Sequence, residues 1–207
     1  MSDNSETNQL KKDNFEIASF NFTCHILTTE NSFAKFAKSL FSHLGRKHLF
    51  YALLFLHVFC NQGKALREFS STPGLDAIRF FDLALFCYLT GNSDMHLKNF
   101  SLLRHGNGSY QLAPAYDLVL SQIILPEDKE EFALTLNGRK AKIRRHDFEA
   151  FGQTIKLTDM QIRNAIKRII SNGNKSLPEA LGRSFLPDDK QKEISKLFAE
   201  RMKKLLS

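Results

Sequence analysis

Apolar residues Phe33, Phe36, Ala37, Leu40, Phe41 and Leu44 recur at i, i+3, i+4, i+7, i+8 and i+11, the spacing of one helix face, and Gly45 follows as a stop. Arg46 to Cys60 is apolar nearly all round. That pattern fits a helix buried on every side or a stretch that has lost its partner. Asn61-Gln62-Gly63 and Ser70-Ser71-Thr72-Pro73-Gly74 read as turns around a short polar segment that contains Leu66 and Phe69. Leu75 then opens the clearest helix of the chain. Ile78, Phe81, Leu85 and Leu89 repeat at helical spacing, Asp76 and Asp82 lie on a polar stripe, and Gly91 closes it.

Beyond Gly91 the period shortens. Phe100–Leu103 and Tyr110–Leu112 flank Gly106-Asn107-Gly108-Ser109, and Phe132–Leu136 and Ala141–Ile143 flank Asn137-Gly138, so two hairpins are expected. Helical spacing then returns. Asp147–Gly152 is short; Leu157–Ser171 places Ile162, Ala165, Ile166, Ile169 and Ile170 on one face, with Thr158 and Gln161 as a capping box. A last helix spans Pro187–Leu206, with Asp188 and Asp189 at its start and Lys203 and Lys204 at its end, as the helix dipole favours. The expected fold is mainly α with small β-hairpins, and no internal repeat is visible.

Composition narrows the class without naming a function. The 207 residues carry 29 Lys and Arg against 22 Asp and Glu, a net +7, which permits contact with phosphate but does not require a nucleic-acid partner. Cys24, Cys60 and Cys87 are odd in number and form no C-x-x-C, which argues against a disulfide framework or a thiolate zinc site and for a reducing cytoplasm. The polar start, residues 1–14, is expected to be a mobile tail and lacks the order of a signal peptide. The longest apolar run, Leu49–Cys60, is 12 residues and contains His57, whereas a membrane span needs ~20.

The chemistry concentrates directly after the clearest helix. Gly91-Asn92-Ser93-Asp94-Met95-His96-Leu97-Lys98-Asn99 brings an acid, an imidazole, an ammonium and an amide into six positions. An Asp followed five residues later by an Asn is the spacing of kinase catalytic loops, in which the Asp accepts the substrate hydroxyl proton and the Asn reaches magnesium. Asp117 follows Asn99 by 18 residues, beyond a hairpin, where a kinase places its other metal carboxylate. Phosphoryl transfer needs this division of labour. One carboxylate stays free of metal to orient the hydroxyl, while hard oxygen ligands hold magnesium against the phosphates. Asp94 suits the first task and Asn99 with Asp117 the second; His96 stands where a cation or donor could meet the transferring group, and Lys98 could do likewise or simply face solvent. Taken singly, each fragment is no more than a capped helix end, a turn histidine or a strand end. Their order and spacing make the signal specific.

The stretch from Leu75 through RFFDLALFCYLTGNSDMHLKNFSLL, the YQLAPAYDL block and LTLNGRKAKIRRHDF resembles the HipA-like serine/threonine kinases, the toxin components of bacterial toxin–antitoxin pairs. The resemblance implies the helical C-lobe of a protein-kinase-related fold over 75–207, behind a divergent or truncated segment, 15–74, and the tail 1–14. It implies Asp94 as catalytic base with His96 beside it, and His96, Lys98, Asn99, Tyr116 and Asp117 as nucleotide contacts. Asn99 and Asp117 would be the magnesium ligands, and ATP and Mg²⁺ the cofactors. It further implies a protein Ser/Thr substrate, with an aminoacyl-tRNA synthetase as one type of target, and restraint by a DNA-binding antitoxin. Residues 1–74 contain neither G-x-G-x-x-G nor G-x-x-x-x-G-K, and neither Lys47 nor Lys64 lies in a strand-like run. Two expectations follow: an ATP-dependent kinase completed by another chain or a divergent front end, or a pseudokinase or remnant that binds a partner without catalysis.

A third, separate candidate is the basic run Arg139, Lys140, Lys142, Arg144 and Arg145. Strand alternation would place Lys140, Lys142 and Arg144 on one face. A solvated hairpin edge is the simpler account of it, and direct DNA or RNA contact the competing one.

Overall fold

The computed structural model describes residues 59–207. The tail, the helix expected over Phe33–Leu44 and most of the apolar run before Cys60 lie outside the described residues, as does Cys24. Within them the chain is mostly helical: α1 (Phe59–Phe69), α2 (Pro73–Thr90), a 3-10 turn (Leu97–Asn99), β1 (Leu102–Arg104), β2 (Tyr110–Leu112), α3 (Ser121–Ile124), α4 (Arg145–Thr154), α5 (Asp159–Gly182) and α6 (Asp188–Leu206).

The central element is α2. Pro73 in its first turn pre-sets the backbone, and Gly91 ends it at φ 77. The Gly91 N–H donates to Tyr88 O and the Asn92 N–H to Cys87 O, a Schellman closure that only a left-handed residue completes cheaply. Helical spacing directs Ala77, Phe80, Phe81, Ala84, Leu85, Tyr88 and Leu89 into the core, where α1, α4, α5 and α6 surround the helix. The rings interlock. Phe81 stacks on Phe151 at 5.7 Å and meets Phe148 edge-on at 6.2 Å, and Phe80 meets Phe100 at 5.1 Å. Each such burial is worth about 1.5–3 kcal/mol, with a further increment from ring geometry. Cys87 is free and buried among them, and burial pushes its thiol up to about 12.

The first expected hairpin forms. β1 and β2 pair antiparallel with Leu102 opposite Leu112 and Arg104 opposite Tyr110, closed by a turn in which Gly108 has φ 81. The buried carboxylate of Asp76 anchors this sheet to α2. It accepts from Ser70 Oγ at 2.6 Å and from the Leu112 N–H at 2.9 Å.

Three expectations are corrected. Asn61-Gln62-Gly63 is not a turn but lies inside α1. Gly63 is there for close approach, since a β-carbon on it would lie 2.1 Å from Ile155 Cγ2. The second hairpin does not form as two strands: Asn137 (φ 49) and Gly138 (φ 75) make a tight turn closed by an isolated bridge, Leu136 to Arg139. The Ile143 N–H, which a strand partner would have taken, instead donates to Glu131 Oε2 at 2.6 Å. The basic run therefore has no strand alternation: Lys140 pairs with Glu130, Arg145 with Glu149, and Arg139 approaches Asp147, while Lys142 and Arg144 stay exposed. Finally, α5 does not stop at Ser171. It begins at the expected capping box, Thr158 Oγ1 accepting from Gln161 N, and continues through Pro178 to Gly182, with Leu181 buried.

Candidate active site

Asn92 to His96 leaves the end of α2 as a loop in which exposed Asp94 and His96 alternate with buried Ser93 and Met95. Met95 is wholly buried, and Phe100 is held against Phe80. Asp94 and His96, on either side of the buried Met95, are both exposed to solvent. His96 Nε2 lies 3.0 Å from Asp94 Oδ1, and both side chains are about half exposed. The Asp94 backbone is fixed as well: its N–H donates to Asn92 Oδ1 at 3.3 Å and its carbonyl accepts from the His96 N–H at 2.9 Å.

The 3-10 turn delivers Asn99 directly before β1, and the hairpin reverses the chain so that the segment after β2 returns beside it. The Ala113 N–H extends the ladder by donating to Ser101 O at 2.9 Å. Four residues later Asp117 takes φ 54, a left-handed conformation that Asp tolerates better than most residues. Its Oδ2 accepts from Asn99 Nδ2 at 2.7 Å. The Tyr116 hydroxyl donates to Lys98 O at 2.8 Å and ties the two segments a second time.

Asn99 is 2% exposed, and its buried Oδ1 has no hydrogen-bond partner among the described residues. An orphaned acceptor of this kind costs about 1–3 kcal/mol. The Asn99 amide and the Asp117 carboxylate, joined through Nδ2, each carry a hard oxygen donor, the chemistry that suits magnesium, which takes one or two protein ligands and fills its shell with phosphate and water. The residues present therefore fit that ion. No cluster of three or more His, Cys, Asp or Glu exists among the described residues, so an all-protein metal cage is not part of the site there.

The expected residues thus divide into two units, Asp94 with His96 and Asn99 with Asp117, joined through the Asn99 N–H to His96 O bond of 3.0 Å. Lys98 is exposed between them. Sequence reasoning missed Arg201, which is 2% exposed on α6. Its guanidinium donates to Tyr88 O and Gln122 Oε1 and lies 4.8 Å over the Tyr88 ring. Burial pulls its pKa down, against the opposing influence of Glu131. The signal was present: Ile194, Phe198, Arg201 and Leu205 recur at i, i+4, i+7 and i+11, a cation within an apolar stripe.

The family profile of the HipA-like C-terminal domain matches residues 38–177. This chain belongs to that family. Among curated relatives, the HipA-like chain is 31% identical over 118 residues to "Putative kinase Y4mE" of Sinorhizobium fredii, covering 57% of this chain and 27% of the relative. It is 28% identical over 138 residues to a "Putative kinase" of Haemophilus influenzae, covering 59% and 40%. A solved complex of Shewanella oneidensis HipA, HipB and operator DNA superposes with a TM-score of 0.59 at 20% identity, over 72% of this chain and 35% of that one, a likeness of fold. The HipA-like chain thus spans less than half the length of these relatives. No helix among the described residues is long and apolar enough to cross a membrane.

Proposed function

We propose that this chain is the C-terminal catalytic lobe of a HipA-like kinase, which transfers the γ-phosphoryl group of ATP to a serine or threonine hydroxyl of a protein. The observation that carries this reading is the 2.7 Å bond between Asn99 and Asp117, with Asn99 Oδ1 left unpaired beside it. These two residues would hold magnesium, which when bound neutralises charge on the β- and γ-phosphates. Asp94, outside that pair and open to solvent, accepts the proton of the incoming hydroxyl. His96 holds the Asp94 carboxylate in place until the hydroxyl arrives, and Lys98 reaches toward phosphate. Tyr116 keeps the Lys98 backbone, and with it Asn99, in register with Asp117.

The HipA neighbour from Shewanella oneidensis is complexed with HipB and operator DNA. By extension, we propose a DNA-binding antitoxin as a partner here; the family resemblance, not that complex, suggests an aminoacyl-tRNA synthetase as a substrate type and the cytoplasm as the setting. The second reading, a partner-binding module without catalysis, is favoured by residues 1–74, which contain neither G-x-G-x-x-G nor G-x-x-x-x-G-K.

Calorimetry of Mg²⁺-ATP binding to the full chain tests the proposal, with Asp117→Ala as control. Binding that disappears in the variant supports a working nucleotide site. Absence of binding to the unaltered chain favours the non-catalytic module.

A further inference from the structure

The start of the loop that carries Asp94 is tied to α3 by the Ser121 hydroxyl. Ser121, the first residue of α3, accepts the Ser93 N–H at 2.7 Å and donates to Gly91 O at 3.2 Å. Its Oγ also lies 3.0 Å from Ser93 Oγ, which in turn approaches Asp128 Oδ2 at 3.4 Å. A hydroxyl has one proton and two lone pairs. With the Ser121 proton on Gly91 O, both lone pairs face Ser93, so its whole capacity is spent on the two residues around Asn92.

Ser121 is itself anchored. The Gln122 N–H donates to Gly91 O at 3.1 Å, and Gln122 Oε1 accepts from the buried Arg201, which also holds Tyr88 O at the end of α2. A cation on α6 thus fixes the start of the loop and the helix that grips it. The Asn99–Asp117 pair is attached elsewhere, through the hairpin and the Tyr116 hydroxyl.

We propose that Ser121 is a positioning residue for phosphoryl transfer: its hydroxyl fixes the Ser93 amide and thereby the backbone of Asp94, without taking part in nucleotide or metal binding. The inference rests on the reading of Asp94 as the group that accepts the hydroxyl proton. In Ser121→Ala the buried Ser93 N–H loses its acceptor and the loop is free to shift. Displacement of a reacting group by about 1 Å costs up to about 100-fold in rate.

Two measurements on the full chain decide it, each comparing the unaltered protein with Ser121→Ala and Ser121→Thr. In amide exchange followed by NMR, Ser93 is slow in the unaltered protein and Ser121→Thr, and about tenfold or more faster in Ser121→Ala. Equal exchange in all three overturns the latch. In phosphoryl transfer from Mg²⁺-ATP to dephosphorylated casein, Ser121→Ala lowers kcat about tenfold or more and leaves KM for Mg²⁺-ATP within about twofold, and Ser121→Thr restores kcat. An unchanged kcat with lost Ser93 protection, a KM change matching the kcat loss, or a threonine variant as impaired as the alanine one overturns the positioning role. If the unaltered chain transfers nothing, the kinase reading and the catalytic half of this inference fall together, while exchange at Ser93 still decides whether Ser121 holds the loop.

Discussion

Two corners of the molecule are built from nearly the same residues. In one, Asn99 bonds Asp117, with His96 and Lys98 nearby; in the other, Asn137 bonds Asp147 at 2.9 Å, with His146 and Arg139 nearby. Asp147 is fully buried and its oxygens are occupied: Oδ1 takes Asn137 and meets His146 at 3.3 Å, while Oδ2 accepts the Arg144 N–H at 2.9 Å and so caps α4. Asp117 is exposed, and its Asn partner keeps a buried oxygen to which nothing among the described residues bonds. The lesson concerns unfilled capacity. A carboxylate whose oxygens are all used by the fold holds the fold together, whereas a pair that leaves an acceptor idle, as Asn99 does beside Asp117, is available to a ligand.

The comparison is broken or sharpened by substitution. The largest expected effect is on rate: Asp94→Asn lowers phosphoryl transfer about 1,000-fold, the range of a lost general base, with Mg²⁺-ATP affinity within about twofold. A calorimetric loss of nucleotide binding in that variant would contradict the assignment of Asp94 outside the metal pair. Next comes stability. Asp147→Ala strips buried donors of their acceptor and costs about 3 kcal/mol in urea unfolding, while Asp117→Ala costs less than about 1 kcal/mol. Asp117→Ala instead weakens Mg²⁺-ATP binding about 10–100-fold, on the scale of a damaged metal site. A comparable unfolding loss from both would remove the distinction between the two corners. The smallest pair is amide against amide: Asn137→Ala destabilises by about 1–2 kcal/mol, whereas Asn99→Ala shifts unfolding by less than about 1 kcal/mol, because it also removes an unsatisfied oxygen. Thermal melts of the two variants rank them directly.

Much of the fold is legible in the order of residues along the chain. The helix from Leu75 to Gly91 shows itself by apolar spacing and a glycine stop, and the structure moves its start only to Pro73. The Thr158–Gln161 box, the last helix and the first hairpin are local too: caps and turns act over three or four residues, within reach of a motif. The misread elements depend on distant partners. Gly63 looks like a turn glycine because its reason for being small, Ile155, lies far along the chain. The segment 132–143 has strand-like composition around Asn137-Gly138, but the buried Glu131 carboxylate takes the N–H that pairing would have used. For the site, the order Asp94, Asn99 and Asp117 is readable, but its closure is not.

The sequence by itself determined which residues can do chemistry and in what order they come, because residue type and spacing along a helix, turn or loop are properties of a short stretch of chain. Tertiary structure alone decided which of those residues meet. It closed Asn99 on Asp117 through the hairpin, filled Asp147 while leaving Asn99 Oδ1 idle, and put the Arg201 guanidinium behind the loop through a helix more than a hundred positions away. Hydrogen-bond satisfaction is a sum over all neighbours in space, and no local window contains those neighbours.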